Sequence, residues 1–121
     1  MLPEAGDIAW FEFDPVRGTE QAGRRPGLIL TSRQYHQRSG RAVVCPISSR
    51  GDAWAFNVPL PSETKTRGFV MTDQVRTVER SERMFNIIER VPTAVLNDVR
   101  GRLAALLGID VVGSIAAPAP E

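Results

Sequence analysis

The sequence predicts a mainly β protein: a small barrel closed over by one helix near the C-terminus. Short apolar runs rich in Ile, Val and Phe recur from Ile8 to Val91, and glycines and prolines punctuate them, as many-stranded small barrels require. Only Pro92 to Leu107 spaces its apolar residues for a helix. At 121 residues the chain can bury a modest core in a single domain without disulfides or metals. That domain is expected over residues 1–110. Residues 111–121, containing Ala116-Ala117-Pro118-Ala119-Pro120, bury too little to fold and are expected to be a flexible tail.

In chain order, Ile8 to Phe13 is apolar on both faces, as a strand crossing a small barrel is. Gly27 to Thr31 is a second strand, and Ser32 to Gly40 is a short polar link compatible with a helix. Ala42 to Ile47 forms the next strand, with Pro46 marking an edge or a bulge because it has no N–H for a ladder. Ser48 to Asp52 is a loop. Trp54 to Leu60 reads as a strand whose alternating Trp54 and Phe56 give it an aromatic face, for core packing or for base stacking. Pro61 to Gly68 is an excursion rich in turn formers. Phe69-Val70-Met71-Thr72 and Gln74 to Val78 flank Asp73 as a kinked or bulged strand, and Phe85 to Val91 adds another. In the helix, Val95, Leu96, Val99, Leu103, Leu106 and Leu107 make one stripe, with Pro92 in the first turn and Gly108 as the stop.

Composition narrows the function classes. Hydrophobic content of 42% and charged content of 24% are those of an ordinary soluble domain. No apolar run is long enough for a membrane-spanning helix, and the N-terminus lacks the pattern of a signal peptide, so a cytoplasmic protein is expected. The single cysteine, Cys45, lies in the apolar Val43-Val44-Cys45-Pro46 and reads as a buried, inert thiol. No Cys/His/Asp cluster has ligand spacing, so neither metal nor other cofactor is expected. His36, the only histidine, sits in a polar link and reads as a surface residue.

The net charge of +1 hides a division along the chain. Residues 1–14 carry Glu4, Asp7, Glu12 and Asp14 and no base, a charge of −4. Residues 16–51 carry Arg17, Arg24, Arg25, Arg33, Arg38, Arg41 and Arg50 against Glu20, a charge of +6. Such a basic middle fits a local anionic partner, and equally a solvated face. Its densest part is Gly18-Thr19-Glu20-Gln21-Ala22-Gly23-Arg24-Arg25-Pro26, read as a loop. Gly18 and Gly23 permit positive φ, and Pro26 holds Arg25 extended. The paired guanidinium groups form a cationic fork suited to a phosphate.

These residues resemble the MazF/PemK family of toxin ribonucleases from type II toxin–antitoxin pairs. The matching stretches are Gly6-Asp7-Ile8 leading to Phe13-Asp14-Pro15, the arginine loop, Pro46-Ile47-Ser48-Ser49 and Thr72-Asp73-Gln74-Val75-Arg76-Thr77. The resemblance covers roughly residues 6–108. The resemblance implies an SH3-like barrel with a C-terminal helix, and a homodimer whose groove binds single-stranded RNA. It also implies metal-independent cleavage at short sequences and a cognate antitoxin that blocks the groove.

Cleavage through the ribose 2′-hydroxyl needs that hydroxyl activated, negative charge on phosphorus stabilised, and a proton for the leaving oxygen. By resemblance Arg25 is the catalytic arginine, whose planar donors can hold two phosphoryl oxygens. A guanidinium is a poor base near neutral pH, so its role is electrostatic. Ser48 stands where the family has a catalytic threonine, and Arg50 where it has a glutamine. Glu20 is either a titrating carboxylate or the salt-bridge partner that orients Arg24 or Arg25. Asp73 matches an acid used as base in one branch of the family, but that branch has an arginine where this chain has Met71; the alternative is a turn residue bonded to nearby backbone. RNA contacts are expected from Arg24, Thr19, Gln21, Ser49, Arg50, Gln74 and Arg76. Two other readings share the barrel: a toxin that poisons DNA gyrase, and an RNA-binding module without catalysis. Convergence of Arg25 and Ser48 from separate segments favours the nuclease.

Overall fold

A computed structural model describes residues 2–13 and 23–110 of the chain. Seven strands form one antiparallel sheet: β1 (Asp7–Phe13), β2 (Gly23–Ile29), β3 (Arg41–Ser48), β4 (Asn57–Pro59), β5 (Phe69–Met71), β6 (Arg76–Glu79) and β7 (Met84–Arg90). Their order is β4-β5-β3-β2-β1-β7, with β6 also on β3. Helix α1 (Arg33–Ser39) joins β2 to β3, the short α2 (Arg80–Arg83) joins β6 to β7, and α3 (Thr93–Leu107) follows the last strand. The sheet curls without its ladder closing on itself, so the barrel is an open one with a C-terminal helix.

Strand β3 organises the sheet. Along one side Val44 to Pro46 pair with β2. Along the other, Arg41 to Val44 pair with β6, and Ile47 and Ser48 pair with β5. Pro46 falls where that side passes from β6 to β5, so its missing N–H breaks no ladder bond. The link from β5 to β6 is a 3₁₀ turn, Thr72–Gln74, rather than the kinked strand expected around Asp73. The two strands bond to different halves of β3, and the turn makes the step between them. Buried Thr72 fastens it, giving both its N–H (2.9 Å) and its hydroxyl (2.6 Å) to the Phe56 carbonyl.

Two apolar clusters occupy the two faces of the sheet. Ile8, Leu28, Cys45, Ile47, Val58 and Val70 pack with Val95, Leu96 and Val99 of α3. On the other face Phe11, Phe13, Ile29, Val44 and Val78 pack together, with the Phe11 and Phe13 rings 5.8 Å apart. Helix α3 therefore covers one side of the barrel, but its stripe is not buried to the end: Leu106 and Leu107 are 40% and 62% exposed.

Three local expectations are corrected. The strand read from Trp54 to Leu60 is only Asn57–Pro59. The Asn57 N–H bonds the Trp54 carbonyl (3.0 Å) and closes a turn over Ala55 and Phe56, so Trp54 and Phe56 meet edge-to-face rather than along a strand. The arginine pair lies within strand β2 instead of a loop. His36 is fully buried. Its Nδ1 donates to the Pro3 carbonyl (2.9 Å), which leaves Nε2 to accept from the Thr31 hydroxyl (2.7 Å). That hydroxyl also accepts the Val43 N–H (3.1 Å), so one imidazole ties the N-terminal segment and α1 to the sheet.

A candidate phosphate site and nucleic-acid groove

Gly23 opens β2 with φ of +82°, a left-handed value that favours glycine and turns the chain into the strand. From there Arg24 stands opposite Glu12, and Arg25 opposite Phe11. The pleat sends neighbouring side chains toward opposite faces of a strand, yet both arginines border one groove. Arg25 shares the face of Phe11 and Phe13. The β2–β3 register pairs Ile29 with Val44, Leu28 with Cys45 and Gly27 with Pro46. The ladder ends at Gly27 and Pro46, and Arg25 and Ser48, each two residues further along its strand, project from the same face as that pair. Arg76 belongs to that face too: it pairs with Val44, and its guanidinium carbon lies 5.0 Å from the centre of the Phe13 ring.

Ser48 is 4% exposed, and its Oγ accepts the Arg50 N–H (3.1 Å). That bond occupies a lone pair and leaves the hydroxyl proton to be donated. Behind it, Gly68 lies so close that a side chain there would overlap the Ser48 carbonyl, and its φ is +118°. The Ser48 backbone is thus held between its ladder to β5 and the end of the loop at residues 61–68.

Beside this face runs a groove of about 480 Å³. Arg24, Arg25, Lys65 and Arg67 give it four cations, Trp10, Ile47 and Ile88 give it apolar wall, and Ser49 and Thr66 add hydroxyls. Trp10 is 39% exposed, an aromatic surface at the mouth of a cationic cleft. Phosphates and bases are bound by this combination in single-stranded nucleic-acid grooves.

Of the residues predicted from sequence, Arg24, Arg25 and Ser49 meet in the groove. Ser48 and Arg76 share the adjoining face with Arg25. Arg50 is exposed in the turn after β3, and Asp73 and Gln74 form part of the 3₁₀ turn, outside the groove lining. Asp73 is near enough to act on Cys45: burial first, and then the Asp73 charge, push the thiol up to about 12, as befits an inert cysteine. Thr19, Glu20 and Gln21 lie outside the described residues. Nothing in the local sequence of Trp10 and Ile88 shows that strands β1 and β7 border one cleft with the loop at residues 61–68. Among the described residues no group of three or more His, Cys, Asp or Glu could hold a metal ion, and no helix is long and apolar enough to cross a membrane.

Fold and site together describe a small β-barrel with a basic cleft at its strand ends. Residues 4–107 match the family of PemK-like, MazF-like toxins of type II toxin–antitoxin systems, and the chain belongs to that family. It is 37% identical to the endoribonuclease PemK of Escherichia coli over 108 residues, 86% of this chain and 81% of PemK. To the endoribonuclease toxin MazF of E. coli K12 it is 28% identical over 107 residues, 88% of this chain and 96% of MazF. The crystal structure of MazF from Deinococcus radiodurans superposes with a TM-score of 0.85 at 37% identity, covering 90% of this chain and 99% of that one.

Proposed function

We propose that this chain is the toxin of a type II toxin–antitoxin pair: a cytoplasmic, metal-independent endoribonuclease that cuts single-stranded RNA at selected sequences. The observation that carries the reading is Arg25 in a groove lined by four cations, with Ser48 on the same face of the neighbouring strand. Membership in a family whose relatives are named endoribonucleases supports the reaction class.

In this mechanism the RNA lies along the groove with its scissile phosphate at Arg25. Arg25 donates to two phosphoryl oxygens as negative charge grows on them, and the Ser48 hydroxyl donates to the same phosphate. The ribose 2′-oxygen attacks phosphorus after losing its proton, the bond to the 5′-oxygen breaks, and that oxygen takes up a proton. The products are a 2′,3′-cyclic phosphate and a 5′-hydroxyl. Proton transfer falls to a carboxylate, Glu20 of the arginine segment or Asp73, which is reached only by RNA that extends beyond the groove lining to the 3₁₀ turn. Arg24, Arg76, Ser49, Arg50, Gln74, Thr19 and Gln21 bind the flanking strand. Because the 2′-hydroxyl is already beside each phosphate, no metal-activated water is called for.

The functional unit is a homodimer. Its inhibitor is a cognate antitoxin, as in the D. radiodurans MazE–MazF complex, which is 34% identical to this chain with a TM-score of 0.81. An acidic antitoxin segment occupies the basic groove and excludes RNA.

The test begins by mapping cuts in a mixed-sequence single-stranded RNA in EDTA. A matching oligonucleotide is then made with one 2′-deoxy sugar at the cut nucleotide. Binding should persist and cleavage should cease, with a 5′-hydroxyl on downstream fragments of the unmodified strand. Cleavage of the substituted strand, or a downstream 5′-phosphate, would show that water is the nucleophile.

A further inference from the structure

The groove depends on a loop that nothing in the ladder holds. Residues 61–68 connect β4 to β5 at one end of the sheet, yet they supply Lys65, Thr66 and Arg67 to the groove lining. Strand β7, at the other end of the sheet order, does not ladder to β4 or β5. Glu89 of β7 spans the gap. Its Oε1 accepts the Lys65 N–H (3.0 Å), and its Oε2 accepts both the Thr66 N–H (2.8 Å) and the Thr66 hydroxyl (2.7 Å). Glu89 is itself set by the β1–β7 register, opposite Ile8, and its neighbour Ile88 lines the groove.

The rest of the loop is prepared for this attachment. The hydroxyl of buried Thr64 donates to the carbonyls of Pro61 (3.0 Å) and Thr66 (2.9 Å), folding the loop on itself. At its base the Leu60 N–H bonds the Gly68 carbonyl (2.9 Å), and Gly68 presses on the Ser48 backbone. The loop is thus tied at its base to the phosphate site and at its tip to the opposite sheet edge. Partial burial works to raise the Glu89 carboxyl, but the Thr66 hydroxyl and the two backbone N–H groups outweigh it and hold the pKa below its ordinary value. The anchor is therefore charged and intact at neutral pH.

We propose that Glu89 is a positioning residue of the RNA groove, fixing the loop at 61–68 so that Lys65 and Arg67 meet the phosphates flanking the scissile one at Arg25. The inference rests on the nuclease reading above. Glu89 contacts no RNA: it neutralises no phosphate, and its oxygens are spent on the loop. Its effect is to remove, before binding, the conformational freedom that two cations on a loose loop would otherwise lose. Such pre-organisation acts on binding more than on chemistry.

The experiment uses the full chain with Glu89→Gln and Thr66→Val, and the mixed-sequence RNA in EDTA. Glu89→Gln should raise KM about tenfold with kcat within about twofold, the pattern of lost binding rather than lost transition-state stabilisation. The salt dependence of binding should weaken by about one phosphate contact. Hydrogen exchange at the Lys65 and Thr66 amides should quicken. Thr66→Val, which removes the hydroxyl that Glu89 accepts, should move in the same direction less far. Three results would overturn the inference: amides still protected in Glu89→Gln, amides released with KM and salt dependence unchanged, or kcat and thermal stability falling together at constant KM. A wild-type protein that cuts no RNA would sink the nuclease reading instead. Positioning would then stand or fall on whether Glu89→Gln binds that RNA more weakly than wild type.

Discussion

Arg25 and Ser48 should behave as one device. In the proposed mechanism Arg25 and Ser48, which project from one face of adjacent strands, both donate to a single phosphate. Removing one transition-state donor costs about 2.7–4 kcal/mol, or about two to three orders of magnitude in rate. Independent donors would multiply, and the double substitution Arg25→Ala, Ser48→Ala would lose about four to six orders. Donors that act jointly on one misplaced phosphate do not multiply: once either is gone the phosphate is no longer held for the other. The double variant should therefore fall within about tenfold of the slower single one. Folding must be monitored alongside. The Ser48 Oγ accepts one bond, from the Arg50 N–H in an exposed turn where water can replace it, so Ser48→Ala should cost only about 1 kcal/mol of stability. Single-turnover cleavage of an oligonucleotide in EDTA, with all four proteins checked for thermal unfolding, completes the cycle. Rate losses that multiply would refute a shared phosphate; a Ser48→Ala protein that cleaves at the wild-type rate would remove Ser48 from the site.

Two further outcomes follow from packing. Gly68→Ala forces a methyl against the Ser48 carbonyl at a φ of +118°, so it should cost about 3 kcal/mol in strain and slow cleavage even at temperatures where the protein stays folded. A fully active Gly68→Ala protein would show that the loop base does not set the Ser48 backbone. His36→Leu leaves the Pro3 carbonyl and the Thr31 hydroxyl without the ring, a loss of about 3 kcal/mol, or about 10 °C in unfolding midpoint. Unchanged midpoint in calorimetry would contradict it, and kcat should stay near wild type because the ring is remote from the phosphate site.

Local chemistry made much of the fold legible. Runs such as Ile8 to Phe13 and Ala42 to Ile47 can satisfy both apolar burial and backbone hydrogen bonding only as strands. The stripe from Val95 to Val99 can be buried only as a helix, and Gly108 ends it in the left-handed conformation. Part of the groove lining was also legible, because Arg24, Arg25 and Ser49 sit in recognisable stretches. Neighbouring sequence could not give their facing directions. Arg24 and Arg25 read as part of a loop until the ladder to β1 placed them in a strand.

Tertiary structure decided the rest. His36 looks like a surface residue because its helix is polar, yet the Pro3 carbonyl and Thr31 hydroxyl that bury it come from other parts of the chain. Trp54 looks like a strand residue until a local turn and the bond from Arg102 to the Ala55 carbonyl (2.6 Å) hold its segment out of the sheet. The groove needs Trp10 of β1, Arg24 of β2, Ser49 after β3, Lys65 and Arg67 of one loop, and Ile88 of β7. Glu89 acquires its task only because curling brings opposite sheet edges together. The sequence by itself determined most of the strands, the C-terminal helix and where the arginines of the groove lie along the chain, since propensity, periodicity and turn chemistry act over a few neighbouring residues. Which of those groups face one another, and which carboxylate holds a distant loop in place, was decided by strand register and barrel curvature, which are set by burial across the whole chain.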